Sequence, residues 1–244
     1  MRNLLITISY DGSAYHGWQV QKNAVTVQQV FQKAVEKLFC EKTDIKGCSR
    51  TDSGVHAKMY CVSLKTQKNI PCENIITGLN TYLPKDIAVT GCIEVADDFH
   101  ARYSVKSKEY VYRIYNSRIR NPFLKNYALH YRYPIDAQYL NEEAQAFLGS
   151  HDFSGFCSAK SDVEDTVRTV YSFSVTRNGD EVIFSVEADG FLYNMVRIMV
   201  GTLLFVNEGK IKQGELADVI KSKDRKRAGK TAPAHGLYLN NVKY

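Results

Sequence analysis

Leu4, Ile6, Ile8 and Tyr10 alternate with smaller or polar neighbours, the period of two of a half-buried strand. A turn-rich Asp11-Gly12-Ser13 follows, and Thr26-Val27-Gln28-Gln29 opens a helix with a capping-box pattern. Val27, Val30, Phe31, Ala34, Val35 and Leu38 recur three and four apart, which makes Val27–Phe39 the clearest amphipathic helix in the chain. Met59–Lys65 alternates again, Asn74–Leu83 reads as a short helix stopped by Pro84, and Ile87–Val95 as a strand. The order then repeats. Glu109–Tyr115 sets Tyr110, Tyr112 and Ile114 on one strand face, and Asp136 caps a helix carrying Leu140, Ala144, Phe147 and Leu148. Val167–Thr176 and Glu181–Ala188 flank the hairpin signal Asn178-Gly179. Phe191–Asn207 is a long apolar helix ending near Gly209, and Leu216–Ile220 adds a further turn or two. This interleaving predicts an α+β fold of two similar α/β subdomains, with helices packed on a mixed or antiparallel sheet. The boundary falls in Phe99–Ser107, dividing 1–104 from 105–244.

Charge sharpens the picture more than composition does. The net charge is +6, yet Arg102–Arg120 and Lys221–Lys230 each hold six Lys/Arg and one acid, a net +5 apiece. The remainder of the chain is therefore acidic on balance, so the basicity is local and points to an anionic partner docking on particular surfaces. The apolar stretch Phe191–Val206 is interrupted by Asn194 and Arg197, which argues against a membrane span. The N-terminal apolar run is too short for a secretory signal. Six cysteines lie scattered with no C-x-x-C pair, which argues against a zinc module or disulfide framework and fits reduced thiols in a cytoplasm.

The densest polar cluster is Cys48-Ser49-Arg50-Thr51-Asp52-Ser53-Gly54-Val55-His56-Ala57, placed between the first helix and the next strand. Asp-Ser-Gly by itself is ordinary turn chemistry. The sharper reading is a carboxylate poised as nucleophile or base, kept ionised by Arg50 or another nearby arginine. An aspartic protease is disfavoured on two counts: polar residues lead into the triplet, and no second Asp-Ser/Thr-Gly shares the proton.

Arg50-Thr51-Asp52-Ser53-Gly54-Val55-His56-Ala57 resembles the R-T-D-A-G-V-H-A motif of the TruA family of tRNA pseudouridine synthases. Five more segments resemble that family's motifs in the same order. They are Tyr10-Asp11-Gly12 through Trp18-Gln19, Phe99-His100-Ala101-Arg102, Lys108 through Tyr112, Phe191 through Arg197, and Ala232-Pro233 through Leu239. The departures are small: Ser49 stands where the family usually has Gly, Ser53 where it has Ala, and Tyr193-Asn194 where some members have two histidines.

The resemblance implies a pseudouridine synthase fold with two subdomains facing a basic cleft. It implies a cytoplasmic homodimer acting on uridines 38, 39 and 40 of the tRNA anticodon stem-loop. It makes Asp52 the catalytic aspartate, Tyr110 the tyrosine that packs on the target base, Arg197 the arginine that pairs with the aspartate, and Arg50 the arginine that replaces a flipped nucleotide. Moving the ribose C1′ bond from N1 to C5 of uracil involves no net redox change, so no cofactor is expected. None is signalled either, since no Gly-rich nucleotide loop, P-loop or metal-ligand cluster occurs. His16, His56 and His235 read as structural or RNA-contacting side chains, and Trp18 and Asp11-Gly12 as shapers of the fold. With a tRNA substrate implied, both basic segments become candidates for phosphate contact. Two rival readings are a catalytically silent RNA-binding protein on the same scaffold and a synthase with a different RNA target.

Overall fold

The computed structural model describes residues 1–158 and 164–244. The chain divides into two compact units, residues 1–106 with 238–244 and residues 107–237. The division thus falls two residues beyond the expected 104/105 boundary, and the last strand belongs with the first unit instead of the second. That assignment follows from pairing: Tyr238 and Leu239 lie parallel to His56 and Ala57, a long-range contact that periodicity does not encode.

The first unit contains β1 (Arg2–Tyr10), α1 (Val27–Phe39), β2 (Ile45–Gly47), β3 (His56–Thr66), α2 (Cys72–Tyr82), β4 (Ile87–Val95) and, from the chain end, β10 (Leu237–Lys243). Its strands run β4-β1-β3-β10 with β2 paired to β3. β1 is antiparallel to both β3 and β4, and its register with β3 shifts between Ile8 and Tyr10. The expected capping of α1 is present, with Thr26 Oγ1 accepting from Gln29 N at 3.4 Å. Val27, Phe31, Ala34, Val35 and Phe39 form its buried stripe. Burying each of the larger ones contributes about 1.5–3 kcal/mol. α2 starts two residues earlier than expected and ends before Leu83, which precedes Pro84 and adopts an extended backbone.

The second unit contains β5 (Ser107–Asn116), β6 (Leu129–Tyr131), α3 (Ala137–Ala144), β7 (Gly149–Asp152), β8 (Val167–Asn178), β9 (Glu181–Ala188), α4 (Met195–Asn207) and α5 (Leu216–Ser222). Its sheet runs β5-β9-β8-β7, with β6 parallel to β5. Asp136 caps α3 as expected, its Oδ1 accepting from Tyr139 N at 3.0 Å, but Phe147 lies in a 3₁₀ turn beyond the helix. The β8–β9 turn is Gly179-Asp180, one residue later than the sequence signal. Asn178 already pairs with Glu181, and Gly179 takes the positive φ of 57°.

The largest difference concerns α4. It begins at Met195, not Phe191, because Asn194 adopts a left-handed backbone with φ 63° and breaks the apolar run. Ten of its thirteen residues are buried. Gly201 lets the chain at Lys230 pass against the helix, since a Cβ there would lie 1.7 Å from Lys230 O. Among the described residues no helix is long and apolar enough to cross a membrane.

Candidate active site

Asp52 sits half-buried in the loop between β2 and β3, and neighbouring backbone holds that loop on several sides. Tyr10 Oη and Thr51 Oγ1 are 2.9 Å apart in the core. Trp18 N donates to Thr51 O at 3.2 Å, and Gly54 N to Tyr15 O at 3.1 Å. Val55 N donates to Asp52 O at 3.2 Å, which closes the turn around the carboxylate. Tyr60 donates its hydroxyl to Ser49 O, and the Tyr60 ring stacks on Trp18 with centroids 4.1 Å apart.

Glycine is required at two places where another loop touches this one. A Cβ at Gly12 would stand 2.0 Å from Val55 O, and one at Gly17 would stand 2.3 Å from Thr51 O. Gly17 also has φ +80°, which only glycine adopts at no steric cost. Gly12 N donates to His56 Nδ1 at 3.0 Å, and Asp11 Oδ1 lies 3.1 Å from the same nitrogen. His56 is buried and stacks on Tyr238, so it is a fastener between the turn and the strands. Tyr15 donates to Asp86 Oδ1 at 2.7 Å, and burial together with that carboxylate holds its phenol far above the usual range. Arg50, on the same loop as Asp52, is exposed.

Tyr110 and Arg197 belong to the second unit. Tyr110 is buried on β5 opposite Val186, with the Phe191 ring edge-on at 5.0 Å and 83°. Arg197 lies in the first turn of α4, and its guanidinium is held there by hydrogen bonds. Its Nε donates to Ala232 O at 2.7 Å and its Nη1 to Asn194 Oδ1 at 2.6 Å. Asn194 in turn donates from Nδ2 to Ser158 Oγ at 2.8 Å. The neighbouring carbonyl, Pro233 O, accepts from Tyr112 Oη at 2.8 Å. Burial pushes the Tyr112 phenol well above its usual range, and the Arg197 charge draws it partly back. A Cβ at Gly236 would meet the Tyr112 ring at 2.7 Å, so the segment 232–236 lies directly on that tyrosine. Among the described residues no group of three or more His, Cys, Asp and Glu side chains is arranged to hold a metal.

A family model described as tRNA pseudouridine synthase matches residues 6–104 and 144–244. The chain belongs to that family. A relative named tRNA pseudouridine synthase A from Thermoanaerobacter sp. (strain X514) is 49% identical over 244 residues, covering 100% of both chains. Another of that name from Acetivibrio thermocellus is 47% identical with the same full coverage. A chain in a solved structure titled "Crystal Structure of a Cbf5-Nop10-Gar1 Complex" aligns over 96% of this chain at 11% identity with a TM-score of 0.40. This chain spans 57% of that one.

For a member of this family, the motifs without obvious chemistry acquire physical tasks. The 10–18 signature clamps the Asp52 loop, and Ala232-Pro233 fixes Arg197 and Tyr112 through main-chain oxygens. Phe99-His100-Ala101-Arg102 is a corner: Asn3 Nδ2 donates to Phe99 O at 2.9 Å, Ala101 N to Ser63 Oγ at 3.0 Å, and Tyr244 Oη to Ala101 O at 2.9 Å. The basic segments divide by role. Arg113 is ion-paired with Glu181, Lys223 with Asp152 at 2.8 Å, and Arg225 ties its own loop through Gly229 O at 2.8 Å. Lys106, Arg118, Arg120, Lys221, Lys226 and Lys230 are exposed. Asn194 has a local function, holding Arg197, that the sequence pattern alone does not assign. Its signal was a polar side chain three positions before an arginine in an apolar run.

Proposed function

We propose that the chain converts uridine to pseudouridine in the anticodon stem-loop of tRNA, at positions 38, 39 and 40. The observation that carries this reading is full-length identity of 49% to a tRNA pseudouridine synthase A, with the Asp52 motif inside a tightly clamped loop. The reaction breaks the N1–C1′ bond, turns the detached uracil and joins C5 to C1′. C5 gives up its proton and N1 gains one, so composition and oxidation state are unchanged. One ionised carboxylate serves either route: attack on C1′, or removal of the 2′ proton to give a glycal. Asp52 is that carboxylate. Arg197 is the cation that keeps it ionised, and Tyr110 offers the flat wall against which the base packs.

The target nucleotide leaves its stack at a cost of a few kcal/mol. Arg50, exposed beside the aspartate in sequence, fills the gap it leaves. On the family resemblance the enzyme works in the cytoplasm as a homodimer. The test is incubation of the purified protein with unmodified tRNA, followed by chemical labelling and primer extension. Pseudouridine confined to 38–40 supports the reading. Product elsewhere in the tRNA overturns the site assignment, and no product in any tRNA overturns the activity.

A further inference from the structure

The second unit contains a cavity of about 420 Å³ that the proposed chemistry does not use. Its volume lies within the roughly 300–1,000 Å³ of small-ligand sites. Arg120, Lys125, His130 and His235 line it together with Tyr115, and no lining residue carries a carboxylate. Tyr115 and His130 face one another across the parallel β5–β6 pairing, their rings 6.1 Å apart and inclined by 35°. His130 Nε2 lies 2.8 Å from Ser117 O. A carbonyl only accepts, so Nε2 carries the hydrogen of that contact and the ring is fixed beside Tyr115. The cavity thus combines an aromatic wall with the cationic side chains of Arg120 and Lys125, the chemistry that holds a base and its phosphate.

We propose that this cavity binds one unpaired nucleotide of the substrate tRNA, its base against Tyr115 and His130 and its phosphate on Arg120 and Lys125. The proposal rests on the tRNA reading given above. The nucleotide is not the one that reacts. Tyr115 is five residues from Tyr110 on the same strand, so it points to the opposite face and sits about 17 Å further along. Arg120 also gives the first basic segment a specific task, because Arg113 within it is engaged by Glu181.

The test measures binding of unmodified tRNA and of free uridine monophosphate across a salt series, together with pseudouridine formation. Arg120 and Lys125 are exposed, so the double variant Arg120→Glu/Lys125→Glu keeps its fold. It is expected to bind tRNA at least about tenfold more weakly, with a salt slope shallower by roughly 0.7 for each lost contact to single-stranded phosphate. Tyr115→Leu keeps apolar volume but loses the aromatic face. It is expected to weaken binding about five- to tenfold with the slope unchanged. In both variants KM rises while kcat at saturating tRNA stays at the wild-type value. Wild-type isomerisation together with affinity and slope unchanged in both variants would overturn the cavity assignment and leave the activity standing. Uridine monophosphate binding that the double variant abolishes, with tRNA affinity unmoved, would identify a free nucleotide as the ligand and overturn the RNA assignment. A wild-type protein that forms no pseudouridine sinks the activity instead, and the binding comparison still decides the cavity.

Discussion

Gly12→Ala changes one hydrogen into a methyl group and alters the chemistry of no proposed catalytic side chain. The new Cβ would stand 2.0 Å from Val55 O and 2.6 Å from Val55 C, where real Cβ contacts stay above 3.0 Å. Both partners are main-chain segments, so relief has to come from moving the Asp52 loop away by about 1 Å, and no side-chain rotation suffices. The same movement stretches the 3.0 Å bond from Gly12 N to His56 Nδ1. Val55 N is bonded to Asp52 O, so the displacement passes to the aspartate itself. A misplacement of about 1 Å can cost roughly 10²-fold in rate, and the overpacking about 1–3 kcal/mol of stability. Single-turnover pseudouridine formation should therefore fall about 100-fold in protein that remains folded by circular dichroism, with tRNA affinity within a few-fold of wild type. Gly91→Ala is the control: its Cβ meets only Thr7 side-chain atoms at 3.6 Å or more. A folded Gly12→Ala enzyme with a rate within threefold of wild type would refute the idea that this clamp positions Asp52.

Two further outcomes come from the second unit. Asn194→Gly keeps the left-handed backbone without strain but removes the acceptor 2.6 Å from Arg197 Nη1. A hydrogen bond to a charged group contributes about 1.5–3 kcal/mol to stability, so melting temperature should fall by roughly 3–12 °C and kcat should drop tenfold or more with KM little changed; an unchanged kcat would show that Asn194 does not position the guanidinium. Asp152 is held below the usual carboxylate range by Lys223, and then by Thr166 and the Ser154 amide. Its contribution is therefore present above the unfolded carboxylate pKa of about 3.9 and is lost as pH falls below it. For a pair in which Lys223 is exposed and Asp152 half-buried, solvent screening leaves this worth about 1 kcal/mol. Wild type and Asp152→Asn should thus differ in melting temperature at pH 7 and converge below about pH 4. A gap that widens on acidification would contradict the assignment.

Elements with a strong period were legible before any coordinates: β1, α1 with its Thr26 cap, and the β8–β9 hairpin. β2 and β6 are three residues long and too short to show a period, and β7 reads Gly-Ser-His-Asp with no apolar alternation. The start of α4 is not legible in the spacing, because Phe191 and Leu192 continue the helical period and Asn194 at φ 63° breaks it. The site followed a similar division. Asp52, Tyr110, Arg197 and Arg50 stand out by residue type and motif. Supports of Asp52 and Arg197 at Thr51, Val55 and Ala232 act through main-chain oxygens, which leave no mark on a side-chain pattern, and Asn194 Oδ1 adds a side-chain one. Burial also changed the meaning of charge, because Arg225 and Arg113 serve the fold as well as the basic surface.

The central claim is that one carboxylate does the chemistry, and Asp52→Asn tests it most directly. The substitution keeps size and removes the charge, on a loop whose clamps are set by other residues. With unmodified tRNA in excess, labelling and primer extension should detect no pseudouridine at 38–40, while tRNA affinity stays within a few-fold of wild type. Pseudouridine accumulating at the wild-type rate in Asp52→Asn would contradict the account.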